Sequence, residues 1–283
     1  MQIVSTEQVL KEVLAQHKAG QIGFVPTMGA LHEGHLALIK QSKELAAITV
    51  CSIFVNPTQF NDINDFNKYP VTPQQDIALL QSVGCDILFL PSVEEIYPKG
   101  LQSKTTYELG FLENILEGKY RPNHFQGVCQ VVERLLQIVM PNYLLMGAKD
   151  YQQCMVIKQL LHQVMPFKNI ELVIVPTVRE VSGLAKSSRN MRLSQDEADK
   201  ATALYRTLYS VMGQLQPGGL NTVMHQAEER LLQVGFEKVD YVAVVDANTL
   251  ELITEWDGKR KLVILAAAFI NGVRLIDNII MTE

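Results

Sequence analysis

The chain has no two cysteines at the Cys-x-x-Cys spacing; its four, Cys51, Cys85, Cys129 and Cys154, are scattered singly. That pattern argues against redox dithiols, zinc ribbons and disulfide frameworks, and reads as small buried residues in a reducing compartment. No stretch approaches the ~20 apolar residues of a membrane span. The opening Met1-Gln2-Ile3-Val4-Ser5 has neither a basic region nor a long apolar core, so no secretory leader is expected and cytoplasm is the expected location. Positive charge is also lacking. The formal net charge is -5, which argues against a general nucleic-acid binder. What is present is a 283-residue chain, 47% hydrophobic and 19% charged, enough for one large core or two smaller ones.

Short apolar runs alternate with helical patterns through the first part. Ser5 is expected to cap a first helix whose Val9, Leu10, Val13 and Leu14 share a face, with Gly20 ending it. Strands are expected at Ile22–Val25, Ile48–Val55, Ile87–Leu90, Tyr143–Met146 and Glu171–Val175. Helices are expected near His35–Ala46, Pro73–Val83, Val128–Ile138 and Tyr151–Val164. This alternation predicts βα units and a parallel sheet, an α/β fold whose ligands bind beyond the carboxyl ends of the strands. After about Pro176 the texture changes. Helical patterns over Gln195–Gln214 and Thr222–Val234 flank Gly218-Gly219. Strands are then expected at Val239–Val245, Leu262–Phe269 and Val273–Ile276, giving a smaller α+β domain.

The most informative run is Pro26-Thr27-Met28-Gly29-Ala30-Leu31-His32-Glu33-Gly34-His35. A strand, a glycine-bearing turn and a helix start make an anion-binding corner, with free backbone N–H groups and the positive helix end aimed at the ligand. His32 and His35, three apart, share a face and can donate to one phosphate chain. The run is neither a Walker loop nor a Gly-x-Gly-x-x-Gly fingerprint, and its histidines lack the spacing of a zinc peptidase.

Three more clusters carry chemistry. Asn56 and Gln59 in Phe54–Phe60 offer amides suited to a small hydroxy acid, although Asn-Pro is also a routine turn starter. In Gly147-Ala148-Lys149-Asp150-Tyr151-Gln152-Gln153, Lys149 supplies a point charge, Asp150 an acceptor or helix cap, and Gln153 an amide one turn further on. In Ser182–Asn190, Lys186 and Arg189 make a basic loop, either a mobile cover for a triphosphate or a solvated linker. Convergence of cations is needed. A helix terminus contributes only about 0.3–1 kcal/mol to an anion, whereas losing one preorganised donor to transition-state charge costs about 2.7–4 kcal/mol. The polar, aromatic run Leu116–Val128 could line a pocket, brace the site or build a subunit contact. His17, His162 and His225 lie in helical patterns and read as structural.

The ordered runs Pro26–His35, Phe54–Phe60, Lys68-Tyr69-Pro70, Arg121–Val128, Gly147–Gln153, Pro176–Arg179, Ser187–Asn190 and Arg274-Leu275-Ile276-Asp277-Asn278 resemble the pantoate–β-alanine ligase (pantothenate synthetase) family over nearly the whole chain. That family belongs to the nucleotidyltransferases with the His-x-Gly-His signature. The resemblance implies a Rossmann-like nucleotide- and pantoate-binding domain over 1–177 and a smaller α+β domain over 178–283 closing over the ATP site. It implies ATP-dependent condensation of (R)-pantoate with β-alanine through pantoyl adenylate, giving pantothenate, AMP and pyrophosphate on the route to coenzyme A. Mg²⁺ and a homodimer come with it, while nucleic acid and membrane do not.

By resemblance, His35 is the proton donor, acting with His32, Lys149 and Arg189. Met28 to His35, Gly147 to Asp150, Val178 and Lys186-Ser187-Ser188-Arg189 line ATP. Gln59 and Gln153 bind pantoate, and Gln59 also borders β-alanine. Metal ligands are not assigned. Three positions depart from the family pattern: Ala148 replaces Glu, Ser182 replaces Asp, and Lys186 replaces an apolar residue. Lys186 is therefore expected to add a phosphate contact, with metal handling altered. Two other readings share the corner: a nucleotidyltransferase acting on another small acid or phosphate ester, and a catalytically weakened nucleotide-binding homologue. The first leaves Asn56, Gln59 and Gln153 unaccounted for.

Overall fold

The computed structural model describes residues 1–17, 20–61, 63–101 and 105–281. The chain divides into two compact units, Met1–Gly147 with Gln153–Pro176, and Ala148–Gln152 with Thr177–Glu283.

The first unit is built on six strands: β1 (Gln2–Val4), β2 (Ile22–Thr27), β3 (Ile48–Ile53), β4 (Ile87–Phe89), β5 (Tyr143–Gly147) and β6 (Glu171–Val175). They form one parallel sheet in the order β1-β4-β3-β2-β5-β6. The strands read as continuous apolar runs because both faces are covered. Val25, Val50, Cys51, Leu88, Leu144 and Leu145 are all fully buried. From β2 the chain steps one way through β3 and β4, then returns to β2's other edge with β5. The order therefore reverses between β2 and β5, the position where such sheets bind ligands.

The helices of this part are α1 (Glu7–Ala15), α2 (Glu33–Leu45), α3 (Ile63–Asn67), α4 (Pro73–Ser82), α5 (Val93–Ile96), α6 (Leu116–Tyr120), α7 (His124–Val139) and α8 (Tyr151–Gln163). Two sequence expectations fail at α1. Its cap is Thr6, whose side chain accepts from Val9 N–H, rather than Ser5, and it ends at Ala15, five residues before Gly20. Ser5 misses the cap because the first turn starts one residue later. Helix α2 lies so close to β2 that a Cβ on Gly23 would fall 2.1 Å from Ser42 Oγ. This close approach fixes the direction in which α2 leaves the corner.

The second unit holds a three-stranded antiparallel sheet in the order β11-β10-β8, from β8 (Lys238–Asp246), β10 (Leu262–Ile270) and β11 (Val273–Ile280). A small ribbon pairs β7 (Gly218–Gly219) with β9 (Glu255–Trp256). Helices α9 (Gln195–Gln214) and α10 (Asn221–Gln233) pack on the main sheet through Leu204, Leu208, Leu231, Val244 and Ile264. A Ser194/Glu197 capping box starts α9.

All four cysteines are free and buried. Burial pushes the Cys85 thiol up to about 11 and the Cys129 thiol up to about 12, so neither supplies a thiolate. Among the described residues no helix is long and apolar enough to cross a membrane.

Candidate active site

The corner after β2 is held by its own histidines. His32 is the N-cap of α2, and its Nδ1 accepts the Gly34 N–H at 3.2 Å. His35 Nδ1 accepts the His32 N–H at 3.3 Å. A backbone N–H can only donate, so each Nδ1 is the acceptor, and in the neutral ring this assigns the proton to Nε2. The two ring centroids lie 4.1 Å apart. The pair thus shares one face, as the three-residue spacing predicts. The exposed Glu33 sits in the first turn, where its charge suits the helix dipole.

The backbone of the corner differs from the sequence expectation. Several of its N–H groups are engaged within the protein. Ala30 N–H donates to Asp76 Oδ2 at 3.0 Å and Leu31 N–H to Asp76 Oδ1 at 2.8 Å. Gly34 N–H is spent on His32, and His35 N–H on the His32 carbonyl. Gly29 and Ala30 both take left-handed backbone, with φ of 83° and 48°. For Ala30 that costs about 1–2 kcal/mol, which two hydrogen bonds to a carboxylate, about 1.5–3 kcal/mol each, offset.

Beyond β3, a 3-10 turn over Pro57–Gln59 places Gln59. The sequence offered Asn56 as a substrate amide; its amide is instead fully committed inside the protein. Asn56 Oδ1 accepts from Tyr97 OH at 2.8 Å and from Thr58 Oγ1 at 3.1 Å. Its Nδ2 donates to Gln59 Oε1 at 3.1 Å and to the Gly127 carbonyl at 3.2 Å. Burial pushes the Tyr97 phenol up to about 12, so it stays a donor. Asn56 therefore sets the orientation of the Gln59 amide, whose Nε2 reaches Met28 Sδ at 2.8 Å.

The run Leu116–Val128 braces this turn. The His124 ring donates from Nδ1 to the Gln59 carbonyl at 2.8 Å. A Cβ on Gly127 would sit 2.3 Å from the Thr58 carbonyl oxygen, so only glycine lets α7 approach so closely. Gln153 is half-buried on α8, after β5.

In the second unit, Lys149 Nζ pairs with Asp150 Oδ2 at 3.2 Å. The backbone beneath them is held by Asn278, whose Nδ2 donates to the carbonyls of the buried Ala148 and of Lys149, both at 2.8 Å. Asn278 follows Asp277, which takes a bidentate pair from Arg179 at 2.6 and 2.9 Å. Burial still raises the Asp277 carboxyl above its ordinary range against the pull of Arg179. The Arg179 guanidinium also lies 4.1 Å over the Tyr205 ring. Lys186 pairs with Glu180 at 2.5 Å, and its N–H donates to the Val178 carbonyl. Ser187 caps a 3-10 turn that carries the buried Ser188 and the half-buried Arg189.

Sequence reasoning did not find Asp76, Tyr97, His124 or Asn278 in these roles. The Arg121–Val128 and Arg274–Asn278 runs were the signals for His124 and Asn278; nothing local marks Asp76.

A sequence model of a family described as pantoate-beta-alanine ligase matches residues 2–280. A pantothenate synthetase of Cytophaga hutchinsonii is 44% identical over 282 residues, spanning 98% of each chain. One of Caldicellulosiruptor bescii is 41% identical, spanning 99% of each. The crystal structure of pantothenate synthetase from Thermus thermophilus superposes with a TM-score of 0.88 at 41% identity, covering 99% of both chains. A pantoate-beta-alanine ligase from Francisella tularensis, solved with beta-gamma ATP and beta-alanine, gives a TM-score of 0.82 at 38% identity over 99% of this chain and 97% of that one.

Proposed function

The chain belongs to the pantoate-beta-alanine ligase family, and from that membership we propose how its own residues carry out the reaction. The activity is ATP-dependent ligation of pantoate to β-alanine. In the first half-reaction a pantoate carboxylate oxygen attacks the α-phosphorus of ATP. The bond to the β-phosphate oxygen breaks and pyrophosphate leaves. In the second, the β-alanine amine attacks the acyl carbon, AMP leaves with the carboxylate oxygen, and the amine loses a proton.

The observation that carries the assignment is the pair of Nε2–H imidazoles at the carboxyl end of β2. Charge grows on the non-bridging α-phosphate oxygens and on the leaving pyrophosphate during attack. Two preorganised neutral donors meet it without prior desolvation of a cation. His35 is the principal donor and His32 the second. Lys149 and Arg189 supply positive charge, and the Met28–Leu31 backbone lies along the nucleotide. Gly147 to Asp150, Val178 and Lys186 to Ser188 complete the ATP contacts. The Gln59 amide, oriented by Asn56, and Gln153 hold the pantoate hydroxyl and carboxylate, and Gln59 also borders β-alanine. No covalent enzyme nucleophile is needed, since holding two substrates in turn supplies much of the rate.

Among the described residues no three His, Cys, Asp or Glu side chains converge as a metal cage. Mg²⁺ characteristically keeps waters and substrate phosphates as ligands, so it enters with ATP as part of the substrate. We further take the enzyme to be a cytoplasmic homodimer. Its buried, unpaired cysteines suit a reducing compartment, and sedimentation tests the assembly.

Product analysis tests the activity. With ATP, pantoate and β-alanine, AMP and pyrophosphate should form in equal amounts alongside pantothenate. Sustained pyrophosphate release without β-alanine would overturn the reading.

A further inference from the structure

We propose that Asp76, on α4, is a positioning residue for adenylation, clamping the Met28–Leu31 loop in its working shape. This rests on the ligase reading above and assigns that site a residue outside the sequence motifs. Asp76 is 1% exposed, and both its carboxylate oxygens are engaged: Oδ2 with Ala30 N–H, and Oδ1 with Leu31 N–H and with Thr72 Oγ1 at 3.1 Å. The segment it grips holds two consecutive left-handed residues, Gly29 and Ala30. A Cβ on Gly29 would stand 3.1 Å from Asp76 Oδ2, so the loop and the carboxylate are fitted to each other.

The loop leads from β2 to the His32 cap and carries Met28, the partner of Gln59 Nε2. One carboxylate therefore fixes the backbone between the acid-binding amide and the phosphate-binding imidazoles. Its chemistry also argues against a direct part in binding ATP. A buried negative charge beside a triphosphate repels it, so what recommends a carboxylate here is its power to accept two adjacent N–H groups at once. An asparagine of the same shape has only one acceptor oxygen and turns an N–H₂ toward a donor.

The two roles give opposite signs. If Asp76 acted through its charge, Asp76→Asn would strengthen ATP binding. If it positions the loop, Asp76→Asn should slow adenylation by about 10–100-fold, the size of loss expected from small misplacement of reacting groups. The KM for β-alanine in the second half-reaction, started from supplied pantoyl adenylate, should stay within about twofold. Amide exchange at Ala30 and Leu31 should accelerate by about tenfold or more while the Val50 amide stays protected.

Adenylation by Asp76→Asn within about twofold of the parent rate overturns the proposal. So does a slowed variant in which the Ala30 and Leu31 amides stay fully protected. If Asp76→Asn does not fold, Thr72→Val keeps the carboxylate and removes one of its bonds. It should slow adenylation by about two- to fivefold, and an unchanged rate overturns the proposal. A parent protein that forms no pantoyl adenylate would instead refute the ligase reading, so the two failures are distinguishable.

Discussion

His35 Nδ1 accepts the backbone N–H of His32 at 3.3 Å, and that bond fixes the protonation pattern of the corner. With His32 Nδ1 accepting from Gly34, each imidazole is both a helix cap and an Nε2–H donor. The two duties can be separated. Asn is among the best N-caps, so His32→Asn keeps the acceptor for α2 and removes the ring donor. Stability in urea should change by less than about 1 kcal/mol, while kcat/KM for ATP falls by about 100-fold. Loss of stability without loss of activity would show that the ring serves only the helix.

Asn56→Ala removes the group that orients Gln59 and strips partners from Tyr97 and the Gly127 carbonyl. Buried groups left unpaired cost about 1–3 kcal/mol, so the urea midpoint should fall. The KM for pantoate should rise more than that for ATP, because the Gln59 amide is the group set loose. Equal changes in both KM values would contradict this role.

Asn56 also shows what the sequence could and could not reveal. Its residue type and place after a strand marked it as functional. Its partners, 41 and 71 positions away, decided that it works through Gln59 rather than on substrate. Asp76 is the sharper case: it grips a loop 46 positions earlier, and in the sequence it is only an acidic residue in the first turn of a helix. The periodic elements were legible. Glu171–Val175 and Gln195–Gln214 match the expected bounds, because a clear apolar pattern runs through each and a capping box starts the second. Helix α7 begins at His124, four residues before the expected Val128, as Asn123 enters it from left-handed backbone, which no spacing encodes. The three-residue β1 is too short to show a pattern.

Gly127→Ala and Gly213→Ala should have opposite effects. The first places a methyl 2.3 Å from the Thr58 carbonyl and must push the Gln59 turn or α7. Overpacking of this kind costs about 1–3 kcal/mol, and pantoate turnover should fall with it. Gly213 lies within α9 with nothing near its missing Cβ, so alanine there should stabilise by about 0.5–1 kcal/mol. Calorimetry and steady-state kinetics on the two variants check both signs.

Glu7 ties α1 to α7. Its carboxyl lies below its ordinary value of 4.5, chiefly through its hydrogen bond from Lys11 and then through Arg134. A carboxyl lowered on folding contributes stability that is fully present above its unfolded pKa. That stability is lost as pH falls through the lower folded value. Glu7→Gln should therefore lower Tm at neutral pH, and the gap should close progressively below 4.5. A gap that persists unchanged in strong acid would mean that the side chain acts by packing rather than by charge.

Two neutral imidazoles at the end of β2 are the groups held to drive adenylation of pantoate. Rapid-quench measurement of pyrophosphate, with ATP and pantoate but no β-alanine, tests this most directly. The parent enzyme should show a burst of one pyrophosphate per active site. In His35→Ala the burst should slow by about 100–1,000-fold, the cost of one preorganised donor, while attack of β-alanine on supplied pantoyl adenylate stays within about tenfold. A His35→Ala burst as fast as the parent's would contradict that role.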